Sequence, residues 1–175
     1  MRGMDVLEAI RRRRSIRRFL SNRDVDEKDL MTLLEAATLA PSAGNAQPWR
    51  FIVIRTPELK EALARAALGQ GFVAEAPVVI VVCVDRARAR AAYGERGESL
   101  YCIQDTAAAV QNINLAAVSL GLGTCWVGAF DEAEVMMALD LPASLRPVAL
   151  IPLGHPAESP RPRPRRPLDE VVEYR

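Results

Sequence analysis

An arginine-rich segment near the N-terminus has the residue types that bind a phosphate group. Its sequence is Arg13-Arg14-Ser15-Ile16-Arg17-Arg18. A guanidinium presents a planar fork of N–H donors that matches phosphate oxygens, and a serine hydroxyl adds a neutral donor. In an extended segment alternate side chains point the same way, so we expect Arg13, Ser15 and Arg17 to converge. Three interpretations stay open: a solvated helix end that complements the helix dipole, a small-molecule phosphate site, and a nucleic-acid contact. Phe19 is the one aromatic neighbour, which disfavours base stacking.

A second arginine cluster lies near the C-terminus, although the chain as a whole is almost neutral. The 175 residues include 23 basic and 22 acidic side chains, for a net charge of +1, and 21 of the basic residues are arginine. The second cluster comprises Arg161, Arg163, Arg165 and Arg166. The overall charge favours neither a nucleic-acid nor a membrane partner. The feature to explain is therefore the concentration of positive charge in two arginine clusters.

A loop of small residues and amides could hold a planar, polar molecule. Its sequence is Pro41-Ser-Ala-Gly-Asn-Ala-Gln-Pro-Trp49. The side chains of Ser42, Asn45 and Gln47 can hydrogen-bond the polar edges of a heterocycle, and Gly44 permits close approach of the backbone. The alternative is an ordinary connection between a helix and a strand.

The remaining chemistry-bearing residues exclude several kinds of site. The segment Gly121-Leu-Gly-Thr-Cys-Trp-Val-Gly128 lacks both GxGxxG and GxxxxGK spacing, which disfavours a dinucleotide-binding or P-loop fold. Cys83, Cys102 and Cys125 include no CxxC pair, so we expect no metal site and reduced thiols in a cytoplasmic protein. We expect Cys125 to be structural and His155 to be a local hydrogen-bonding residue, since an acid–base pair needs a contact that the sequence does not show.

The positioning elements alternate between helices and strands, as in a single α+β domain over 1–175. Helices are predicted over 6–13, 26–39, from Pro57, over 99–120 and over 131–139, and strands over 49–55, 77–84 and 147–153. Charged residues 86–96 are expected to form an exposed connection, and the chain from about 155 to 175 an extended tail. Residues 106–130 carry no charge, but they include amides and glycines, so we predict a buried helix there rather than a membrane span.

Six segments, in order along the chain, resemble the nitroreductase family of flavin enzymes. They are VLEAIRRRRSIRRF, APSAGNAQPWRFIVI, GQGFVAEAPVVIVV, LAAVSLGLGTCWVGAF, VALIPLGHP and RPRPRRPLDEVV. The resemblance implies an α+β fold with a central, mostly antiparallel sheet flanked by helices. It also implies an intertwined homodimer that binds FMN at the subunit interface. Electrons would come from NADH or NADPH in a ping-pong cycle.

The same resemblance assigns the cofactor-binding residues. It puts Arg13, Ser15 and Arg17 on the FMN phosphate and ribityl chain or the pyrimidine edge, with Arg14 contributing less directly. From the partner subunit, the residues that line the flavin ring are Pro41, Ser42, Ala43 and Asn45, and Gln47 matches a family position. The residues that cover the ring are Trp126, Val127 and Gly128, with a backbone N–H of this stretch near flavin N5. Arg163 and Arg165 match a second phosphate clamp, and Gln70 is a candidate ring contact. No side chain is assigned a catalytic role, because the flavin performs the chemistry.

The chain differs from longer family members after Gln70 and between Asp85 and Glu98, where it is contracted. Both regions commonly shape the substrate mouth in the family. We therefore expect a small-molecule acceptor such as a nitroaromatic or a quinone, with a dehalogenating, dehydrogenating or flavin-fragmenting enzyme as the alternative. A basic nucleic-acid-binding module is the alternative of another class, and a flavin carrier without turnover is a third.

Overall fold

The central sheet of the protein is antiparallel throughout, in the computed structural model that describes residues 4–175. Its strands are β1 (Trp49–Ile54), β2 (Val78–Asp85), β3 (Gly123–Thr124) and β4 (Leu145–Gly154), and their order is β1-β2-β4-β3. The register pairs Ile52 with Val81 and Ile80 with Ile151. The helices are α1 (Val6–Arg12), α2 (Glu27–Thr38), α3 (Pro57–Ala66), α4 (Phe72–Glu75), α5 (Arg86–Arg96), α6 (Cys102–Ser119) and α7 (Glu132–Ala138). The α+β class and the antiparallel sheet predicted from the sequence are confirmed.

Strand β2 lies at the centre of the protein because its side chains are apolar on both faces. Ile80 and Val82 face a core that includes residues of α2 and α6, whereas Val79 and Val81 face a second core with α3 and α7. All of β2 except Asp85 is buried. A near-continuous apolar run rich in Val and Ile is typical of a strand covered on both sides, and the prediction for this strand is correct to within one residue at each end.

Helix α6 is the helix predicted from the uncharged stretch, and it belongs to the core. Ala109, Ile113 and Ala117 are fully buried in the α2 side of the sheet. A π-helical turn, Gly97–Tyr101, precedes it, and Gly121 follows it with a left-handed φ of 72°, a common glycine-dependent helix end. Within residues 4–175, no helix has the length and hydropathy needed to span a bilayer.

The connection expected over 86–96 is wrong, because these residues form α5. The Asp85 carboxylate accepts the backbone N–H of Arg88 at 2.9 Å and caps the helix. Alternating Arg and Ala residues have high helix propensity, and Ala89 alone is buried, against Val84 and Cys102, so a high charge did not indicate a loop. The helix is interrupted at Tyr93 and Gly94, whose φ values are −142° and 58°.

Several helix boundaries depend on capping groups that the sequence suggests. Asp5 and Asp131 accept the N–H groups of Glu8 and Glu134 at 2.9 and 3.0 Å, as expected for N-caps. Asp26 precedes α2, but its side chain makes no capping hydrogen bond. After Gly154 the chain follows an irregular path to a short 3₁₀ turn, Leu168–Glu170.

Candidate functional site

The N-terminal arginine segment is attached to the sheet through backbone contacts at its middle. The N–H of Ile16 donates to the carbonyl of Thr124 at 2.9 Å, and Ser15 forms a parallel bridge with Thr124. The Ile16 side chain is buried against Gly123, where a Cβ atom would lie 2.7 Å from Ile16 Cγ1. Gly123 is thus required for the segment to approach the sheet this closely.

The other edge of this segment is attached to the start of the C-terminal tail. Glu158 Oε1 accepts the backbone N–H groups of Arg17 and Arg18 at 2.5 and 3.1 Å. The N–H of Ala157 donates to the Arg18 carbonyl, and the N–H of Leu20 donates to the His155 carbonyl, both at 2.9 Å. His155 contributes its backbone carbonyl to these hydrogen bonds. These contacts place the two arginine clusters side by side.

The two clusters line one cavity of about 440 Å³. The lining residues are Ile10, Arg11, Arg13, Arg14, Ser15, Arg17, Pro160, Arg161, Pro162, Arg163 and Arg165. The structure therefore brings together Arg13, Ser15 and Arg17 with Arg163 and Arg165, as the resemblance implies. Among residues 4–175, no acidic residue lines this cavity. It is a strongly electropositive space.

Individual arginines in the cavity differ in their surroundings. Arg14 Nη1 donates to the carbonyls of Arg11 and Arg13 at 2.7 and 2.8 Å, so it caps the end of α1. Arg165 Nη1 donates to the carbonyls of Arg163 and Pro164 at 3.1 and 3.2 Å. The Arg17 guanidinium carbon lies 5.8 Å from the centroid of the Phe72 ring, a cation–π contact that orients the side chain.

Cys125 lies beside this cavity but has the environment of a structural thiol. Burial raises its pKa, and the nearby Arg17 and Ser15 oppose that shift only in part. A neutral, buried thiol is a poor nucleophile, so the structure supports a structural role for Cys125. In the part of the chain that the structure describes, no cluster of His, Cys, Asp and Glu could hold a metal ion.

The amide-rich loop has an unusual backbone that contacts from other elements hold in place. Gly44, Asn45 and Gln47 have φ values of 53°, 56° and 50°, in the left-handed region that side chains disfavour. Ser42 Oγ accepts the N–H of Gln47 at 3.0 Å, and Asp105 Oδ1 accepts the N–H of Ala43 at 3.0 Å.

Helix α5 also contacts this loop. Arg88 Nε donates to the Ala46 carbonyl, and the Tyr93 ring lies against Gly44. Of the described residues, those of this loop do not line the arginine cavity of their own chain. One chain by itself therefore does not bring the two predicted parts of the site together.

The residues expected to cover a flavin ring lie at the edge of β4. Val127 pairs with Leu150 through two backbone hydrogen bonds of 2.9 and 3.0 Å, and its side chain is in the core. Trp126 and Gly128 on either side are exposed. Gln70 Nε2 donates to the carbonyls of Ala67 and Ala129 at 2.9 and 3.2 Å, so its amide joins the turn after α3 to this segment.

Sequence reasoning did not single out four residues that position the site. They are Arg88, Tyr93, Asp105 and Glu158. Two of them had a signal in the sequence, because Asp105 is the one acid between Glu98 and Asp131, and Glu158 is the one acid between Asp140 and Asp169. A lone acid in an apolar or basic stretch commonly has a specific hydrogen-bonding partner.

Comparison with known proteins decides the family. The model of the nitroreductase family matches residues 10–75 and 66–155. The chain belongs to the nitroreductase family. It is 36% identical to a protein of Thermus thermophilus named NADH dehydrogenase, over 98% of this chain and 97% of that protein.

Two further similar proteins extend the comparison. The FMN reductase [NAD(P)H] of Bacillus subtilis is 30% identical over 95% of this chain and 72% of its own length. The structure of the NADPH:FMN oxidoreductase of Vibrio harveyi, complexed with NAD+, superposes with a TM-score of 0.88 at 28% identity. That match covers 97% of this chain and 76% of the Vibrio chain. The family and the fold that the resemblance implied are confirmed.

Proposed function

We propose that this protein is an FMN-dependent oxidoreductase that transfers electrons from NADH or NADPH to a quinone, nitroaromatic or similar small molecule. The observation that carries the proposal is the electropositive cavity in which both arginine clusters meet. The names of the Bacillus and Vibrio relatives, an FMN reductase and an NADPH:FMN oxidoreductase, support the choice of FMN and NAD(P)H. The acceptor and the ping-pong order of the two half-reactions come from the family resemblance alone.

The donors in the cavity suit the phosphate of FMN. Arg13 on one side, and Arg163 and Arg165 on the other, provide charged donors, and Ser15 provides a hydroxyl. A phosphate dianion that leaves water needs charge-assisted hydrogen bonds to replace its hydration. Because none of the described residues that line the cavity is acidic, no side chain within the cavity neutralises its positive charge.

The chain's own residues would bind and orient the cofactor rather than react. FMN, when bound, supplies the electron-transfer chemistry. Arg17 is the candidate to stabilise negative charge near the pyrimidine edge, which favours the reduced cofactor. Gly128 is exposed, and we assign its backbone N–H to flavin N5. Trp126 would cover the ring.

We further propose a homodimer in which the partner completes each site. Val6, Leu7 and Ile10 of α1 are each more than half exposed in one chain, and an apolar helix face of this kind is typical of a surface that a partner covers. Pro41, Ser42, Ala43 and Asn45 of the second copy would line the ring of the first copy's flavin. We place the protein in the cytoplasm, where its three free cysteines would stay reduced.

A visible spectrum and an anaerobic titration test the proposal. We expect the purified protein to be yellow with flavin absorbance, and NADH or NADPH to bleach it without oxygen. Initial rates at several concentrations of NAD(P)H and a quinone should give parallel double-reciprocal lines, as a ping-pong mechanism requires. A colourless protein with salt-dependent DNA or RNA binding would overturn the proposal. A yellow protein that neither nucleotide reduces would instead be a flavin carrier.

A further inference from the structure

A buried carboxylate on α6 is joined to the amide-rich loop across 62 positions of the chain. Asp105 lies in the first turn of α6 and is 8% exposed. Its Oδ1 accepts the backbone N–H of Ala43 at 3.0 Å. A carboxylate is expensive to bury unless a specific interaction compensates the lost hydration, so this contact is the structural reason for an acid at this position.

The loop that this contact holds is in a conformation that it would not keep by itself. The left-handed φ of Gln47 is strained for a residue with a Cβ atom, whereas Asn45 tolerates this conformation. Such strain persists only where surrounding contacts over-determine the backbone, and it concentrates at functional sites. The turn within the loop, from Gln47 N–H to Ser42 Oγ, fixes its shape but not its position on the rest of the protein.

Of the side chains that fix the position of the loop, Asp105 is the most tightly held by its surroundings. Arg88 is exposed and Tyr93 is 46% exposed, whereas Asp105 is almost fully buried. Asp105 is packed in the helix beside buried Cys102, Thr106 and Ala109. A hydrogen bond in such an environment is stronger than one in water. Burial also raises the pKa of Asp105, and the hydrogen bond from Ala43 opposes that shift.

We propose that Asp105 is a positioning residue that holds the loop over 42–47 in the form that lines the flavin of the partner subunit. This rests on the proposed function, because the role of the loop at the flavin is part of it. Asp105 acts through the N–H of Ala43 and touches no cofactor atom. It would therefore set FMN affinity and the environment of the flavin ring, with no part in proton or electron transfer.

Three variants and two readouts test this role. Asp105→Ala removes the acceptor, Asp105→Asn keeps an acceptor oxygen without the charge, and Thr106→Val is the matched control. The Thr106 side chain is also buried in α6, but its hydroxyl donates within its own helix, to the Cys102 carbonyl at 2.8 Å. We would titrate each apo-protein with FMN by fluorescence quenching and record the visible circular dichroism of the bound flavin.

We expect Asp105→Ala to weaken FMN binding at least tenfold and to change the flavin dichroism. Asp105→Asn should stay within threefold of the unsubstituted protein, and Thr106→Val within twofold. Unchanged affinity and dichroism in Asp105→Ala would overturn the proposal, as would equal losses in Asp105→Ala and Thr106→Val. If the unsubstituted protein binds no FMN, the proposed function fails instead.

Hydrogen exchange of the unsubstituted protein tests the contact even if Asp105→Ala does not fold. We expect the Ala43 amide to exchange as slowly as the amides in the middle of α6. Exchange at the rate of an unprotected loop amide would overturn the positioning role, whatever the cofactor.

Discussion

Glu158 Oε1 accepts the backbone N–H of Arg17 at 2.5 Å, across 141 positions of the chain. The same oxygen accepts the N–H of Arg18 at 3.1 Å. One acidic side chain thus bonds the backbone of the first arginine cluster, and Arg17 is also a lining residue of the cavity. Because Glu158 does not line the cavity, we assign it a positioning role at the proposed phosphate site.

Two substitutions of Glu158 separate its hydrogen bonds from its charge. Glu158→Gln and Glu158→Ala both remove the negative charge, but only Gln keeps an acceptor oxygen. We expect the Ala variant to bind FMN on the order of tenfold more weakly than the Gln variant, since each lost hydrogen bond costs about 1 kcal/mol. Fluorescence titration of the apo-proteins measures the ratio. Equal affinities would show that the backbone contacts do not support the site.

Arg165 should be needed to retain FMN, whereas its neighbour should not. Arg165 lines the cavity, but Arg166 pairs with Glu170 at 3.1 Å and lies outside the lining. Loss of a charge-assisted hydrogen bond costs about 1.5–3 kcal/mol, so we expect Arg165→Ala to weaken FMN binding roughly tenfold or more. Arg166→Ala has the same change in net charge and serves as the control. Unchanged FMN content in purified Arg165→Ala would contradict the assignment.

Two glycines with left-handed φ values provide a matched test of the contact with Tyr93. A Cβ atom at Gly44 would lie 2.5 Å from Tyr93 Oη, whereas one at Gly69 would meet nothing within 4 Å. We expect Gly69→Ala to lower the free energy of unfolding by about 1–2 kcal/mol through backbone strain.

Gly44→Ala should cost about 1 kcal/mol more than Gly69→Ala, because Tyr93 must leave its edge-on contact with Tyr101. Urea denaturation of the apo-proteins measures both values. Adding Tyr93→Ala to each glycine variant should remove the excess at Gly44. If the excess remains, the Tyr93 ring is not its cause.

The buried thiol of Cys83 should make the protein less stable in alkali. Burial raises its pKa from 9.0 to about 12, so between these values the unfolded chain loses a proton that the folded protein keeps. The stabilisation of the folded protein by the protonated Cys83 thiol is complete below pH 9. As the pH rises from 9 toward 12, the free energy of unfolding falls by about 1.4 kcal/mol per pH unit.

Urea denaturation at pH 8, 9 and 10 measures this dependence. Cys83→Ala is the reference, since it adds a constant cavity penalty but removes the titration. We expect its free energy of unfolding to fall less steeply than that of the unsubstituted protein above pH 9. Parallel profiles would show that Cys83 titrates alike in both states.

Local patterns predicted the elements that carry the site. The apolar run over 77–84 corresponds to β2, because a strand buried on both faces needs apolar residues at almost every position. The uncharged stretch over 106–130 corresponds to most of α6 and the segment after it, where charged side chains would be costly to bury. The prediction was wrong over 86–96, where a highly charged segment forms a helix with Ala89 as its one buried residue. The order of six motifs was enough to indicate the family.

The amino-acid sequence by itself determined which groups the protein has for a phosphate and a planar ring, and where each lies along the chain. Only the tertiary structure decided which of them meet. The arginine clusters lie on one cavity because Thr124 and Glu158 hold the two sides of a single extended segment, and the amide-rich loop owes its position to Asp105. Such contacts join residues far apart in the chain. They depend on the path of the whole backbone, which no local pattern of residue types encodes.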